Sequence, residues 1–105
     1  MTDYPMLTLN DGRQLPQIGF GTYQIDNDKA AEAVRTAVDV GYTMVDTAAV
    51  YQNEDGVGDG LTETPDIFLQ TKIWNASQGY DRTLKAAEKC LARLGRDHVD
   101  MLLIH

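Results

Sequence analysis

The sequence has little of several things, and each shortage excludes a class of protein. It holds one cysteine, so no disulfide can close within the chain, and no Cys-x-x-Cys pair or Cys/His cluster offers a structural zinc site. Its longest apolar run is Met101-Leu102-Leu103-Ile104, far short of the ~20 residues that cross a bilayer. Basic residues are scarce, with 9 Lys and Arg against 16 Asp and Glu, for a formal net charge of -7. A chain of that sign repels nucleic acid and anionic lipid, so neither a nucleic-acid nor a membrane partner is expected. Met1-Thr2-Asp3-Tyr4-Pro5 has neither the basic nor the apolar stretch of a secretory leader, and a reducing, cytoplasmic location is the expectation. Linkers, repeats and biased segments are missing too. What remains is 105 residues at 43% hydrophobic and 24% charged, which suits one small domain burying roughly 65% of its unfolded surface.

What is present is a regular alternation of strand and helix signals. Met6–Leu9 and Gln14–Pro16 flank Asn10-Asp11-Gly12-Arg13, and Asp-Gly between short runs predicts a hairpin. Ile18-Gly19-Phe20-Gly21-Thr22 reads as a Gly-rich strand. From Asp28 to Val40, Ala30, Ala33, Val34, Ala37 and Val38 recur at helical spacing, with Asn27 or Asp28 as cap and Gly41 as stop. Thr43–Thr47 reads as a buried strand, and Asn53–Leu61 as a short helix weakened by Gly56, Gly58 and Gly60. Ile67–Lys72 is the next strand. Asp81–Leu94 is a helix with Leu84, Ala87, Leu91 and Leu94 on one face, stopped by Gly95, and Val99–His105 closes as a strand. A hairpin followed by βαβαβαβ implies parallel strands with helical crossovers, in a doubly wound sheet or part of a (β/α)8 barrel. No Gly-x-Gly-x-x-Gly opens a helix after a strand, so the Rossmann fingerprint is absent.

Three of these strands finish in an ionisable side chain: Asp46, Lys72 and His105. In a barrel, parallel strands end at the same rim, and the active site sits there. Topology therefore predicts that these three converge, and Tyr51, five residues past Asp46, can reach the same mouth. A phenol ordinarily ionises near 10, and a neighbouring ammonium favours its anion. Asp46 would keep Lys72 charged and aimed at Tyr51, and His105 could hydrogen-bond a carbonyl oxygen. The set makes a general-acid site for reducing C=O. Taken singly, each of the four has a plainer reading as a cap, ion-pair partner, packing residue or chain end, and it is the joint placement that argues for chemistry. Cys90 reads as a packing residue, His98 as a surface residue, and Glu54 as a helix-start or structural hydrogen-bond partner.

Gly41-Tyr42-Thr43-Met44-Val45-Asp46-Thr47-Ala48, continued by Tyr51-Gln52-Asn53-Glu54 and Val57-Gly58, resembles the first signature of the aldo-keto reductase family. Gly19-Phe20-Gly21-Thr22-Tyr23 is similar to its first strand, Thr71-Lys72-Ile73-Trp74-Asn75 to its lysine motif, and Val99–His105 to its fourth strand. Within the family the chain is similar to bacterial reductases of the 2,5-diketo-D-gluconic acid reductase type. The resemblance covers essentially the whole chain. It implies the N-terminal half of a (β/α)8 barrel, with residues 1–17 as a hairpin plug at the barrel bottom and residues 18–105 as four barrel strands and three helices.

The resemblance also implies an NADPH-dependent reductase of a small-molecule carbonyl substrate. Tyr51 would donate the proton, Lys72 and Asp46 would tune it, His105 would orient the carbonyl, and hydride would come from C4 of the nicotinamide. Thr22, Tyr23 and Asp46 would lie beside the cofactor, and Tyr23, Trp74 and His105 beside the substrate. Two departures stand out: Thr43 occupies a place where Arg is common, and Asp59–Asp66 is a few residues shorter than usual. The family needs eight strands, and the half beyond His105 is where it keeps most contacts to the pyrophosphate and adenosine. The expectation is a monomeric parent enzyme. The alternative is a catalytically silent half-barrel, with open strand edges, that self-associates or pairs with a complementary half.

Overall fold

A computed structural model describes residues 5–105, so the reading of Met1–Tyr4 as lacking a leader lies outside the described residues. Strands β1 (Met6–Thr8) and β2 (Gln14–Pro16) form an antiparallel hairpin in the register Met6↔Pro16, Leu7↔Leu15, Thr8↔Gln14. The Asp-Gly turn works as expected. Gly12 takes φ +87°, a conformation that L side chains resist, and the Asp11 carboxylate accepts from the Arg13 N–H at 3.0 Å. Met6 and Leu7 stay 41% and 49% exposed.

Then follow β3 (Phe20–Gly21), α1 (Asn27–Asp39), β4 (Met44–Asp46), α2 (Glu54–Gly60), β5 (Phe68–Ile73), α3 (Tyr80–Leu94) and β6 (Met101–Ile104). The four-stranded sheet is parallel and runs β3-β4-β5-β6, so strand order follows sequence order with no reversal. A doubly wound sheet would show a switch point, whereas unbroken succession is how a (β/α)8 barrel is built. The fold is half of such a barrel, unclosed.

The alternation along β5 shows how the two sheet faces differ. Leu69, Thr71 and Ile73 are buried beneath the helices, whereas Phe68, Gln70 and Lys72 are only half-buried and look toward the barrel interior. On the helix side, Ala30 and Val34 of α1, Val57 of α2 and Leu94 of α3 meet Val45, Leu69, Leu61 and Ile67 in one core. Fully burying a side chain such as Leu61, Leu69 or Leu94 is worth about 2 kcal/mol, and this cluster holds the sheet against the helices.

The helices differ from expectation in instructive ways. Asn27 does not cap α1, which starts at that residue; its side-chain oxygen instead accepts from the Gly56 N–H at 2.8 Å, tying α1 to α2. The glycines that weaken α2 as an isolated helix are what let it pack. A Cβ on Gly56 would lie 2.3 Å from the Asn27 carbonyl oxygen, and one on Gly58 2.3 Å from that of Leu94. On α3, Cys90 and Leu94 are buried, but Leu84 is 54% exposed. Burial on α3 concentrates near its C-terminal end, at Cys90 and Leu94. The expected Gly-rich strand over residues 18–22 shrinks to two residues because β3 is the sheet edge and pairs only with β4.

Candidate active site

The site is built where β3, β4, β5 and β6 end. Register places Gly21 against Asp46, and Asp46 against Gln70. Lys72 lies two residues beyond Gln70 on the same face of β5. His105 follows β6 directly and extends the ladder, its N–H donating to the Ile73 carbonyl at 3.1 Å. Tyr51 arrives differently, on a single 3-10 turn over Ala49–Tyr51 that ends at Gln52 in the left-handed region (φ 61°).

A buried polar network holds that turn in place. Thr22 donates its hydroxyl to Thr47 Oγ1 at 2.9 Å, Thr47 donates to Asn53 Oδ1 at 3.1 Å, and Asn53 Nδ2 donates to the carbonyls of Thr22 (2.8 Å) and Ile25 (2.9 Å). All three residues are fully buried. The network joins the ends of β3 and β4 to the start of α2, on either side of the segment that carries Tyr51. Every polar group is partnered, so it rigidifies rather than destabilises.

A second buried group braces β5. Glu54, 1% exposed, accepts from the Thr71 hydroxyl at 2.6 Å and from Arg93 Nε at 2.7 Å, linking α2, β5 and α3 next to Lys72. Burial works against the Arg93 charge, but the hydrogen bond and charge of Glu54 outweigh it and hold the guanidinium above its ordinary value. Glu54 is thus the structural partner that the sequence suggested.

At the rim, Lys72 Nζ lies 2.9 and 2.8 Å from the two oxygens of Asp46, 3.0 Å from the Thr47 carbonyl and 3.2 Å from Tyr51 Oη. An ammonium has three protons. One shared between the Asp46 oxygens, one to Thr47 and one to Tyr51 uses them all. Tyr51 Oη therefore accepts from Lys72, and its own O–H is left to donate elsewhere. Lys72 and Asp46 keep 14% and 27% of their side chains exposed, so the pair is largely shielded from solvent screening. The three groups that topology predicted to converge with Tyr51 do so. The His105 ring stands edge-on to Tyr51, with centroids 5.9 Å apart, and to Trp74 at 5.4 Å.

These residues open onto a depression of about 580 Å³ lined by Tyr23, Gln24, Val50, Tyr51, Trp74 and His105. Tyr23 is 66% exposed and tilts over Tyr51, with centroids 5.3 Å apart. Thr22 differs from the rest of the expected set. Its side chain is fully buried, its hydroxyl is bonded to Thr47, its N–H to the Asp46 carbonyl, and its carbonyl to Asn53. These bonds tie the end of the short edge strand to β4 and Asn53, and both Thr22 donors are used within them.

Sequence reasoning missed Gln70, whose side-chain amide donates to Asp46 Oδ1. Its position one side-chain repeat before Lys72 was the available signal. It also missed the role of Asn53, which sits where a helix cap would sit yet bonds to a distant loop.

Among the described residues, no group of His, Cys, Asp and Glu could hold a metal ion, and no helix is long and apolar enough to cross a membrane. The model of the Aldo/keto reductase family matches residues 17–105. An aldo-keto reductase of Mycolicibacterium smegmatis is 45% identical over 96% of this chain and 38% of its own length. Glyoxal reductase of Bacillus subtilis is 43% identical over 92% of this chain and 37% of its own. The structure of a mutant of Gox0644 in complex with NADPH is 46% identical and superposes with a TM-score of 0.96, over 99% of this chain and 38% of that one. The chain thus spans less than two fifths of the length of these proteins.

Proposed function

The chain belongs to the aldo/keto reductase family, and we propose that the whole protein reduces aldehydes and ketones to alcohols with NADPH, Tyr51 giving up the proton. One observation carries this reading. Tyr51 lines the depression and its Oη accepts from Lys72 at 3.2 Å, which leaves its own O–H available to donate. A carbonyl oxygen seated there can take that proton, and the negative charge left on Tyr51 meets the ammonium of Lys72. Asp46 keeps Lys72 fixed and compensates its charge when the phenol is neutral. His105 lines the same depression and can donate a ring N–H to the substrate oxygen, and Tyr23 and Trp74 line it as well.

The cofactor, when bound, supplies the hydride. The residues here fit its reacting end. Asp46 keeps part of its side chain exposed and can accept from a ribose hydroxyl, and Tyr23 is exposed over Tyr51. Thr22 contributes from behind, by fixing the end of β3. The cation nearest the depression, Lys72, is already paired with Asp46, so contacts to the phosphates fall to the rest of the protein. The NADPH-bound relative and the glyoxal reductase relative support both the cofactor and the carbonyl substrate.

The test uses a protein that carries this chain within a closed eight-stranded barrel. Adding an aldehyde to that protein and NADPH should remove the cofactor's near-UV absorbance in step with alcohol formed. No loss with any of a panel of small aldehydes and ketones overturns the reading.

A second reading concerns the 105 residues alone, as a silent half-barrel that pairs with itself or a complementary half. Leu102 and Ile104, on the outer face of edge strand β6, are 41% and 81% exposed and favour it. Sedimentation of the isolated chain should then show dimers or larger species, and a stable monomer counts against it.

A further inference from the structure

We propose that Gln70 is a positioning residue for the Asp46–Lys72 pair, its side-chain amide fixing the Asp46 carboxylate in the orientation that seats Lys72 against Tyr51. This rests on the reading of Tyr51 as proton donor.

Gln70 of β5 stands directly opposite Asp46 of β4, and on its other side opposite Met101 of β6. A thioether is a poor acceptor, so the amide has one strong partner within reach, and it donates to Asp46 Oδ1. Oδ1 then receives two donors, Gln70 Nε2 and Lys72 Nζ, while Oδ2 receives Lys72 alone. The Gln70 amide thus adds, to the Lys72 contacts, a second restraint on the last torsion of the carboxylate.

The charge of the donor matters as well. A Lys or Arg at position 70 would compete with Lys72 for Asp46. A neutral amide supplies orientation without that rivalry, and leaves Lys72 the sole cation in the group. Lys72 sits at the end of a flexible four-carbon stem. Its 3.2 Å approach to Tyr51 Oη is therefore set by its two anchors, the Asp46 carboxylate and the Thr47 carbonyl.

The experiment follows the Lys72 ammonium by nitrogen-15 NMR in the 105-residue chain. Its protons should exchange slowly with water in the wild type. Gln70→Met keeps length and loses the donor, and Gln70→Thr keeps strand preference and cannot reach Asp46. Each should speed Lys72 proton exchange about tenfold, the scale of one hydrogen bond to a charged group. In an Asp46→Ala background, where both carboxylate oxygens are gone, Gln70→Met should add nothing.

Unchanged exchange in a folded Gln70 variant overturns the proposal. So does the same acceleration in the Asp46→Ala background, which would make Gln70 a packing residue. Loss of fold in both variants also overturns it, since Gln70 would then be structural. Failure of the proton-donor reading looks different. It would appear as unchanged carbonyl reduction after Tyr51→Phe in the full barrel, with this ammonium measurement left standing.

Discussion

Replacing Gly58 by alanine should force α2 away from α3, and the consequence can be measured as lost stability. The added Cβ would lie 2.3 Å from the Leu94 carbonyl oxygen, 2.6 Å from its carbon and 2.8 Å from its Cα. Ordinary contact begins about 1 Å farther out, and all three neighbours are backbone, so no rotamer change relieves the clash. Alanine favours a helix over glycine by about 1 kcal/mol, which works in the opposite direction. Overpacking of a well-packed interface costs about 1–3 kcal/mol, and a backbone-to-backbone clash belongs at or beyond the upper end. The net expectation is a loss of about 2 kcal/mol, or about 10 °C in Tm for a domain of this size. Thermal and urea unfolding followed by circular dichroism measure it. Gly21→Ala is the control, since a Cβ there meets nothing within 4 Å. A Gly58→Ala variant as stable as wild type would refute the account of α2 as a helix seated by its glycines.

Lys72→Met in the full barrel should lower carbonyl reduction by about 10²-fold or more, because it removes the charge facing the phenolate, while NADPH affinity read by fluorescence quenching changes little. Glu54→Ala should destabilise the chain by about 3 kcal/mol in urea unfolding, since it strips Arg93 and Thr71 of a buried partner, and a change below 0.5 kcal/mol (about a twofold effect on the equilibrium) would contradict the bracing role. Burial, with Glu54 adding to it, pushes the Cys90 thiol up from 9.0 to about 11. A group whose folded value is raised stabilises the fold below its unfolded value, so stability should fall as pH rises from about 9 to about 11, and Cys90→Ala should flatten that slope. Cys90 should also resist alkylation at neutral pH until urea opens the chain, and rapid labelling of the folded chain would count against its burial.

Much of this was legible from residue order alone. Alternating strand and helix signals gave the element sequence, and strands that end in Asp46, Lys72 and His105 had to bring those residues to one rim once the strands were parallel. The hairpin followed from Asp11-Gly12. What could not be read was long-range. Glycines at positions 56, 58 and 60 look like helix breakers until α1 and α3 are seen pressing against them. Asn27 and Asn53 sit where caps belong, yet their side chains reach other elements. Thr22 reads as a ligand-facing strand end, but its neighbours turn it inward. Gln70 carried a periodicity signal, but which neighbour its amide would meet depended on register with β4, and no local pattern encodes that.

The central claim is that the Tyr51 phenol, steadied by Lys72, hands its proton to a carbonyl. Single-turnover kinetics on the full barrel test it most directly, with NADPH and a small aldehyde saturating and cofactor absorbance followed by stopped flow. Tyr51→Phe should slow that step by about 10²-fold or more while leaving NADPH binding within about twofold. A Phe variant that consumes cofactor at the wild-type rate would show that the proton comes from somewhere else.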